Sequence, residues 1–139
     1  MTNGYRLLDH TADFGLEIHG DDPPALFVQA ARALFDLIAG SDYTGGVHRR
    51  QIEIAGADWP DLLVNWLREL LYMWSGERQL LCDVTIESIG ATHVRATVDS
   101  VDFIPLRHEI RNEIKAVTYH QVDVAPRGTG WMARVYLDV

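Results

Sequence analysis

The alternation of apolar and polar residues predicts β-strands near both ends of the chain and in its second half. In residues 14–19 the apolar Phe14, Leu16 and Ile18 alternate with small or polar residues, a period of two that is typical of a strand with one buried face. Residues 5–8 form a short segment rich in apolar side chains. Further strands are predicted over residues 47–55, 80–88, 93–98, 114–124 and 131–138. Residues 106–113 have no clear pattern.

A helical period replaces the alternation after residue 20. Asp22 is a suitable N-cap, Pro23 fits the first helical position, and Gly40 is well placed to end the helix. Between these points, apolar residues recur at the spacing of a helix face: Leu26, Ala30, Ala33, Leu34, Leu37 and Ile38. We therefore predict a first helix between Asp22 and Gly40.

A second helix is predicted after Asp58 or Trp59, because Pro60 follows them and Gly76 is placed to end the helix. Its wide apolar stripe consists of Leu63, Trp66, Leu67, Leu70, Leu71 and Trp74. Such a stripe could bind a partner, but on an amphipathic helix it is usually part of the core. We interpret it as core.

The order of these elements, ββαβα followed by several strands, predicts an α+β fold. We expect a single two-layer domain over residues 1–139, with two helices packed on one face of a mixed or antiparallel sheet. The chain of 139 residues and 15.7 kDa is long enough to bury a core of its own.

Composition narrows the function classes. A net charge of −8 and a pI near 5.0 argue against broad nucleic-acid binding, which needs a basic face. The one cysteine, Cys82, cannot form an internal disulfide, as is typical of proteins in a reducing compartment. The sequence shows neither a signal peptide nor an apolar run long enough to span a membrane. We expect a cytoplasmic protein that does not bind membranes.

An acidic residue stands beside an apolar run near each end of the chain. These residues are Asp13 and Asp138, and Asp138 is followed by Val139 with its terminal carboxylate. If the first and last strands are neighbours, these oxygens would repel one another unless a cation lay among them. Oxygen ligands favour Ca²⁺ or Mg²⁺, and the six dispersed histidines lack the spacing of a zinc site. The alternative is an ordinary turn or capping role for Asp13.

Five further residues have two interpretations each. Lys115 is predicted on a strand, where a lysine is usually an exposed edge residue, but near a metal site it could hold a phosphate or an acidic group. His10 and His120 could support the metal ligands or serve only as solvent-facing or hydrogen-bonded residues. Arg68 and Glu69 lie outside the apolar stripe of the second helix, where either could be solvated or face a partner.

Three stretches of the sequence, taken together, resemble the archease family. They are residues 10–16 (HTADFGL), residues 61–72 (DLLVNWLRELLY) and residues 114–120 (IKAVTYH). The closing Leu137-Asp138-Val139 resembles the family's usual acidic-then-aliphatic ending. The likeness covers essentially the whole chain, in order and without a large insertion.

The resemblance implies a function that the spacing of residues alone does not indicate. Archeases are small α/β proteins that assist the RtcB-type RNA ligase of tRNA splicing and RNA repair, promoting guanylylation of its active-site histidine and repeated turnover. By position, Asp13, Asp138 and Val139 would be metal ligands, with calcium as the ion that the family binds. Lys115 lies in a motif also tied to activation of the ligase. The family commonly ends in Asp-Ile, so Val139 is a departure that should not affect an oxygen ligand.

Three function classes follow. The leading one is a ligase activator that is not itself an enzyme. The runner-up is a chaperone-like modulator, which would bind protein clients through exposed aromatic side chains such as Trp59 or Trp131, without metal. The third is a metal-dependent hydrolase, which suffers from the lack of an identified base or nucleophile: the sequence has no nucleophile elbow, P-loop or dinucleotide fingerprint.

Overall fold

The structure, a computed structural model, describes residues 3–8, 13–40 and 48–139. Its helices and strands, in chain order, are β1 (Gly4–Leu8), β2 (Asp13–Gly20), α1 (Pro23–Ile38), β3 (His48–Ala55), α2 (Trp59–Ser75), β4 (Gln79–Gly90), β5 (His93–Asp102), β6 (Ala116–Arg127) and β7 (Gly130–Asp138). Every predicted helix and strand is present, with bounds that differ by a few residues. Lys115 is the difference that matters: it precedes β6 instead of lying on the strand.

Both helices begin and end where their local sequence predicts. The Asp22 carboxylate accepts the Ala25 N–H at 2.9 Å, and the Asp58 carboxylate accepts the Asp61 N–H at 3.0 Å. Each cap is followed by proline in the first turn, where the missing N–H costs no helical hydrogen bond. Gly40, at φ +93°, ends α1 in a conformation that favours glycine.

The strands form two antiparallel sheets. One has four strands in the order β1-β2-β7-β6, and the other has three in the order β3-β5-β4. The α+β class is confirmed, but the single sheet that we expected is divided in two. The physical reason is that alternation indicates which face of a strand is buried and leaves open which strand lies beside it.

Each helix contacts strands of both sheets. Helix α1 packs against β2 of the four-stranded sheet and β4 of the three-stranded sheet, while α2 packs against β6 and β3. This contact on two sides explains why α1 buries more than a narrow stripe, with nine buried residues: Leu26, Phe27, Ala30, Ala31, Ala33, Leu34, Phe35, Leu37 and Ile38. No helix among the described residues is long and apolar enough to cross a membrane.

The apolar stripe of α2 lies in the core, as predicted. All six of its residues are buried, and Trp66 is fully so. The Trp66 indole N–H donates to the Phe27 carbonyl at 3.1 Å, which gives this large side chain a polar partner as well as apolar neighbours. The stripe is therefore unavailable to a partner in the folded protein.

Candidate functional site

The second strand and the last strand of the chain, β2 and β7, lie side by side in the middle of the four-stranded sheet. Strands β2 and β7 pair antiparallel along their whole length, and Asp13 lies directly opposite Asp138 in the register. Residues directly opposite in an antiparallel pair point to the same face of the sheet, with Cβ atoms about 4.5–5.5 Å apart. Asp13 is half-buried, whereas Asp138 and Val139 are exposed. The structure thus brings together the three residues for which the sequence suggested a metal site.

Lys115 joins the same corner through its backbone. Its N–H donates to the Asp138 carbonyl at 2.8 Å, and the next residue, Ala116, lies opposite Asp138 in the register of β6 and β7. The Lys115 side chain is exposed. Asp138 therefore has Asp13 on one neighbouring strand and Lys115 just before the other.

The chemistry of this corner fits a hard cation only in part. Asp13 and Asp138 supply carboxylate oxygens, the ligands that Ca²⁺ and Mg²⁺ prefer. Among residues 3–8, 13–40 and 48–139, no group of three or more His, Cys, Asp or Glu side chains is arranged so that it could hold a metal ion. The side chains described here would thus provide two carboxylates, with the remaining ligands drawn from Val139 oxygens, water or a partner.

An aromatic ring lies beside the two carboxylates. Gly15 and Tyr136, two residues along from Asp13 and Asp138, are also paired across β2 and β7 and share their face of the sheet. The Tyr136 side chain is almost fully buried, and the exposed His120 ring lies edge-on to it with 5.4 Å between centroids. Sequence reasoning missed both residues of the Gly15–Tyr136 pair, although a glycine inside a strand often marks such a close approach.

The two histidines singled out from the sequence have different outcomes. His120 lies on β6 against Tyr136, and the carboxylates are not among the contacts described for it. His10 lies outside the described residues.

A polar network connects α2 to the start of β6. Arg68 donates from Nε and Nη2 to the Val117 carbonyl at 3.2 and 3.1 Å, and its Cζ lies 4.7 Å from the centroid of the Tyr119 ring. The Tyr119 hydroxyl donates to the Asp61 carboxylate at 2.7 Å. This hydrogen bond, with a second one from the Ala57 N–H, lowers the pKa of Asp61, and the same bond to Asp61 raises the pKa of Tyr119.

Sequence reasoning placed Arg68 in solvent or against a partner. Arg68 is exposed in part, yet it is bound to β6 of its own chain. Asp61 and Tyr119 were not singled out at all. They lie in the two motif stretches of residues 61–72 and 114–120. Both stretches contain polar residues that have no role in the core, and this was the sequence feature that could have pointed to Asp61 and Tyr119.

A cleft lies elsewhere, on the three-stranded sheet. It has a volume of about 430 Å³ and is lined by residues of the three-stranded sheet: Glu53, Ile54, Ala55, Ser88, His93, Val94 and Arg95. None of the site residues predicted from the sequence lines it. At the corner formed by Asp13, Lys115, Asp138 and Val139, the last three residues are exposed at the surface.

Comparisons with known proteins agree with this fold and sequence. The family model described as "Archease protein family (MTH1598/TM1083)" matches residues 5–139. The chain is 32% identical over 139 residues to Protein archease of Methanosarcina mazei, covering 97% of this chain and 95% of that protein. It is 33% identical over 135 residues to Protein archease of Methanopyrus kandleri, covering 95% and 96%.

Two solved structures are similar to this one. The solution structure of Methanobacterium thermoautotrophicum protein 1598 has a TM-score of 0.79 and 30% identity, over 98% of this chain and 99% of that one. The crystal structure of an archease from Thermotoga maritima, described as a "possible chaperone", has a TM-score of 0.67 at 20% identity, over 95% and 94% of the two chains. The second likeness shows the fold alone. With a family model that spans nearly the whole sequence and relatives that match it end to end, the chain belongs to the archease family.

Proposed function

We propose that this protein is a cytoplasmic accessory protein that activates an RtcB-type RNA ligase in tRNA splicing and RNA repair. It promotes guanylylation of the ligase and its multiple turnover and is not itself an enzyme. The functional part of this proposal comes from the resemblance of the motifs to archeases. The observation that supports a role for those motifs is the register of β2 and β7, which sets Asp13 opposite Asp138.

Asp13, Asp138 and the oxygens of Val139 are the proposed cation ligands. A bound Ca²⁺, or Mg²⁺ as the alternative ion, would neutralise the two carboxylates and keep coordination positions open for phosphate or carboxylate oxygens of the ligase. Asp138 is held by β7, a central strand, and Asp13 by β2, its central neighbour. A site on central strands is held more firmly than one on a loop.

Lys115 has a separate role in the proposal. Its backbone is bonded to Asp138 and its side chain is exposed, so its ammonium group is accessible to a partner that docks at this corner. Positive groups that face phosphoryl oxygens stabilise the charge that develops during nucleotidyl transfer. Lys115 would therefore orient an anionic group of the ligase or its nucleotide beside the acidic pair.

The test is guanylylation of the purified ligase, with substoichiometric amounts of this protein and GTP. Wild type and the control Asp21→Asn, an exposed aspartate in the turn before α1, are expected to accelerate the reaction over many turnovers. Asp13→Asn and Asp138→Asn, which keep the size of each side chain, are expected to lose that acceleration. A chelator should abolish the acceleration by wild type. Unchanged acceleration in both site variants would rule out the role of the acidic pair.

A chaperone-like role is the second candidate, and one feature favours it. Leu106 is 98% exposed at the tip of a turn that is held by hydrogen bonds from the Arg107 and His108 N–H groups to the Ile104 carbonyl. The Thermotoga maritima relative is described as a "possible chaperone". By contrast, the aromatics that the sequence suggested do not form an open patch.

Those aromatics are Trp59 and Trp131. Both are half-buried, with ring centroids 5.2 Å apart, and both pack against the core. Replacing Leu106 by Ser separates the two candidates. If the protein binds clients through the turn, this variant would lose client binding, and client binding by wild type would not respond to a chelator. Acceleration of the ligase through the acidic pair would be retained in the variant.

A further inference from the structure

Strand β6 pairs with β7 in two separate stretches. The first, residues 116–118, lies opposite the end of β7, and the second, residues 123–127, lies opposite its start. Between them, the four residues 119–122 of β6 face only Val135 of β7. This is a large bulge, and a bulge breaks the ladder of hydrogen bonds that would otherwise pass the register from one stretch to the next.

The bulge leaves the first stretch without the usual source of its register. In a hairpin, the turn sets which residues lie opposite one another. The turn between β6 and β7 is next to the second stretch, on the far side of the bulge from Ala116. A slip of one residue in the first stretch would turn every side chain to the other face and change the residue opposite Asp138.

Arg68 of α2 is placed to fix that stretch. Strand β6 is at an edge of its sheet, so within the part of the chain that the structure describes one side of its backbone has no neighbouring strand. Two N–H groups of the Arg68 guanidinium donate to the Val117 carbonyl, in the centre of the first stretch. Hydrogen bonds from a charged donor are stronger than those between neutral groups.

Tyr119 and Asp61 hold the guanidinium in place. The Tyr119 ring lies beneath Arg68, and its hydroxyl donates to one oxygen of Asp61. The other oxygen of Asp61 accepts the Ala57 N–H at 2.8 Å, which ties this carboxylate to the segment just before α2. The network therefore runs from the start of α2, through two of its turns, to the bulge and the first stretch of β6.

We propose that Arg68, supported by Tyr119 and Asp61, is the positioning residue that keeps the first stretch of β6 in register and thereby holds Lys115 against Asp138. This inference rests on the proposed function for its consequence in ligase activation. The positioning itself can be measured on the isolated protein. Arg68 would act on the acidic pair through β6.

The test uses hydrogen exchange of single amides in the full chain. Arg68→Met keeps an aliphatic side chain but removes both hydrogen-bond donors. This substitution is expected to speed hydrogen exchange of the Lys115 amide about tenfold. Arg68→Lys keeps one charged donor and should restore part of the protection. Arg107→Met, on an exposed arginine of the turn after β5, is the matched control and should change nothing.

The amide of Phe103 supplies an internal reference, because its N–H donates to the Arg78 carbonyl at 2.9 Å, outside the network. Faster exchange at Lys115 with unchanged exchange at Phe103 supports the proposal. Equal acceleration at both amides would mean global destabilisation and would overturn it, as would unchanged protection of Lys115. If Arg68→Met does not fold, Tyr119→Phe serves as the second variant, because it removes only the hydrogen bond to Asp61. It is expected to speed exchange at Lys115 by a smaller factor, again without a change at Phe103.

Ligase guanylylation supplies the second measurement. Arg68→Met is expected to lower the acceleration, and Arg68→Lys to recover part of it. Full acceleration by Arg68→Met despite faster exchange at Lys115 would overturn the positioning role. If instead Asp13→Asn and Asp138→Asn leave acceleration intact, the proposed function fails, and the exchange at Lys115 still decides whether Arg68 sets the register.

Discussion

At the scale of single residues, Gly15 makes room for the ring beside the acidic pair. A Cβ placed on Gly15 would lie 2.6 Å from Cε1 of Tyr136 and 3.1 Å from Cβ of Leu8. Real Cβ atoms almost never approach a neighbour as closely as 2.6 Å, so any other residue must displace the ring. Tyr136 is only 7% exposed, which leaves its ring little space to move into.

Gly15→Ala is therefore expected to lower the free energy of unfolding by about 1–3 kcal/mol, the usual cost of overpacking a filled site. Urea unfolding followed by tryptophan fluorescence measures this change. In a Tyr136→Leu background the same substitution should cost less, because the ring that it displaces is gone. An equal cost in both backgrounds would contradict the contact between Gly15 and Tyr136.

Asp61 gives stability a dependence on pH at the acid end. Its folded pKa is lowered, first by the Tyr119 hydroxyl and then by the Ala57 N–H. Because the pKa is lower in the folded protein, the ionised Asp61 contributes fully to the free energy of unfolding above the ordinary aspartate pKa of about 4. This contribution is lost as the pH falls through the pKa that Asp61 has in the folded protein. Tyr119→Phe removes the larger cause, so the gap in unfolding free energy between wild type and this variant should narrow below about pH 4.

The measurement is urea unfolding of both proteins near neutral pH and in acid. Tyr72→Phe, on an exposed tyrosine of α2, is the control, and its gap to wild type should not change with pH. A gap for Tyr119→Phe that is the same at both pH values would show that the bond to Asp61 does not perturb the carboxylate.

At the scale of helices and strands, α2 has two structural roles. Its apolar stripe fills the core, and its polar side reaches β6 through Arg68. Both roles require that the helix begin at the same residue, because a shift of its start would rotate Arg68 away from the Val117 carbonyl. Asp58 fixes that start by accepting the Asp61 N–H.

Asp58→Ala is accordingly expected to lower the free energy of unfolding by about 1 kcal/mol, the usual cost of losing an N-cap. Asp58→Ser retains a capping oxygen and should recover most of the loss. Urea unfolding of the three proteins measures both effects. A loss in the Ser variant as large as that in the Ala variant would show that Asp58 contributes something other than the cap.

The helices could be predicted from the sequence because their caps, prolines and apolar periods are local. The strands could be located, but not paired, since alternation carries no information about neighbours. This is why one sheet was expected and two are found. The bulge of residues 119–122 could not be predicted from the sequence, because these residues continue the strand-like pattern on either side of them.

The candidate site was predictable only in outline. Acidic residues near both chain ends suggested that Asp13 and Asp138 could meet, but only the register of β2 and β7 places them opposite one another. Arg68 could not be assigned, because helical periodicity separates core from surface and says nothing about a strand beside the polar face. Tyr119 lies in a motif stretch, but its contacts with Arg68 and Asp61 could not be predicted from the sequence, because they depend on how β6 lies against α2.

At the scale of the whole molecule, the fold gathers distant parts of the sequence around one corner. The second and the last strands, β2 and β7, are the central strands of the four-stranded sheet, and α2 supplies a contact to its edge strand β6. Asp13 and Asp138 lie close together in a protein that already carries a net charge of −8. A cation between them would neutralise both carboxylates, which is the physical basis of the proposed site.

The most direct test of that basis is a calorimetric titration of the isolated protein with Ca²⁺. We expect wild type and the control Asp21→Asn to bind one ion per chain, while Asp13→Asn and Asp138→Asn each lose the binding isotherm. Absence of binding to wild type, or the same affinity in both site variants, would contradict the claim that these two carboxylates share a cation.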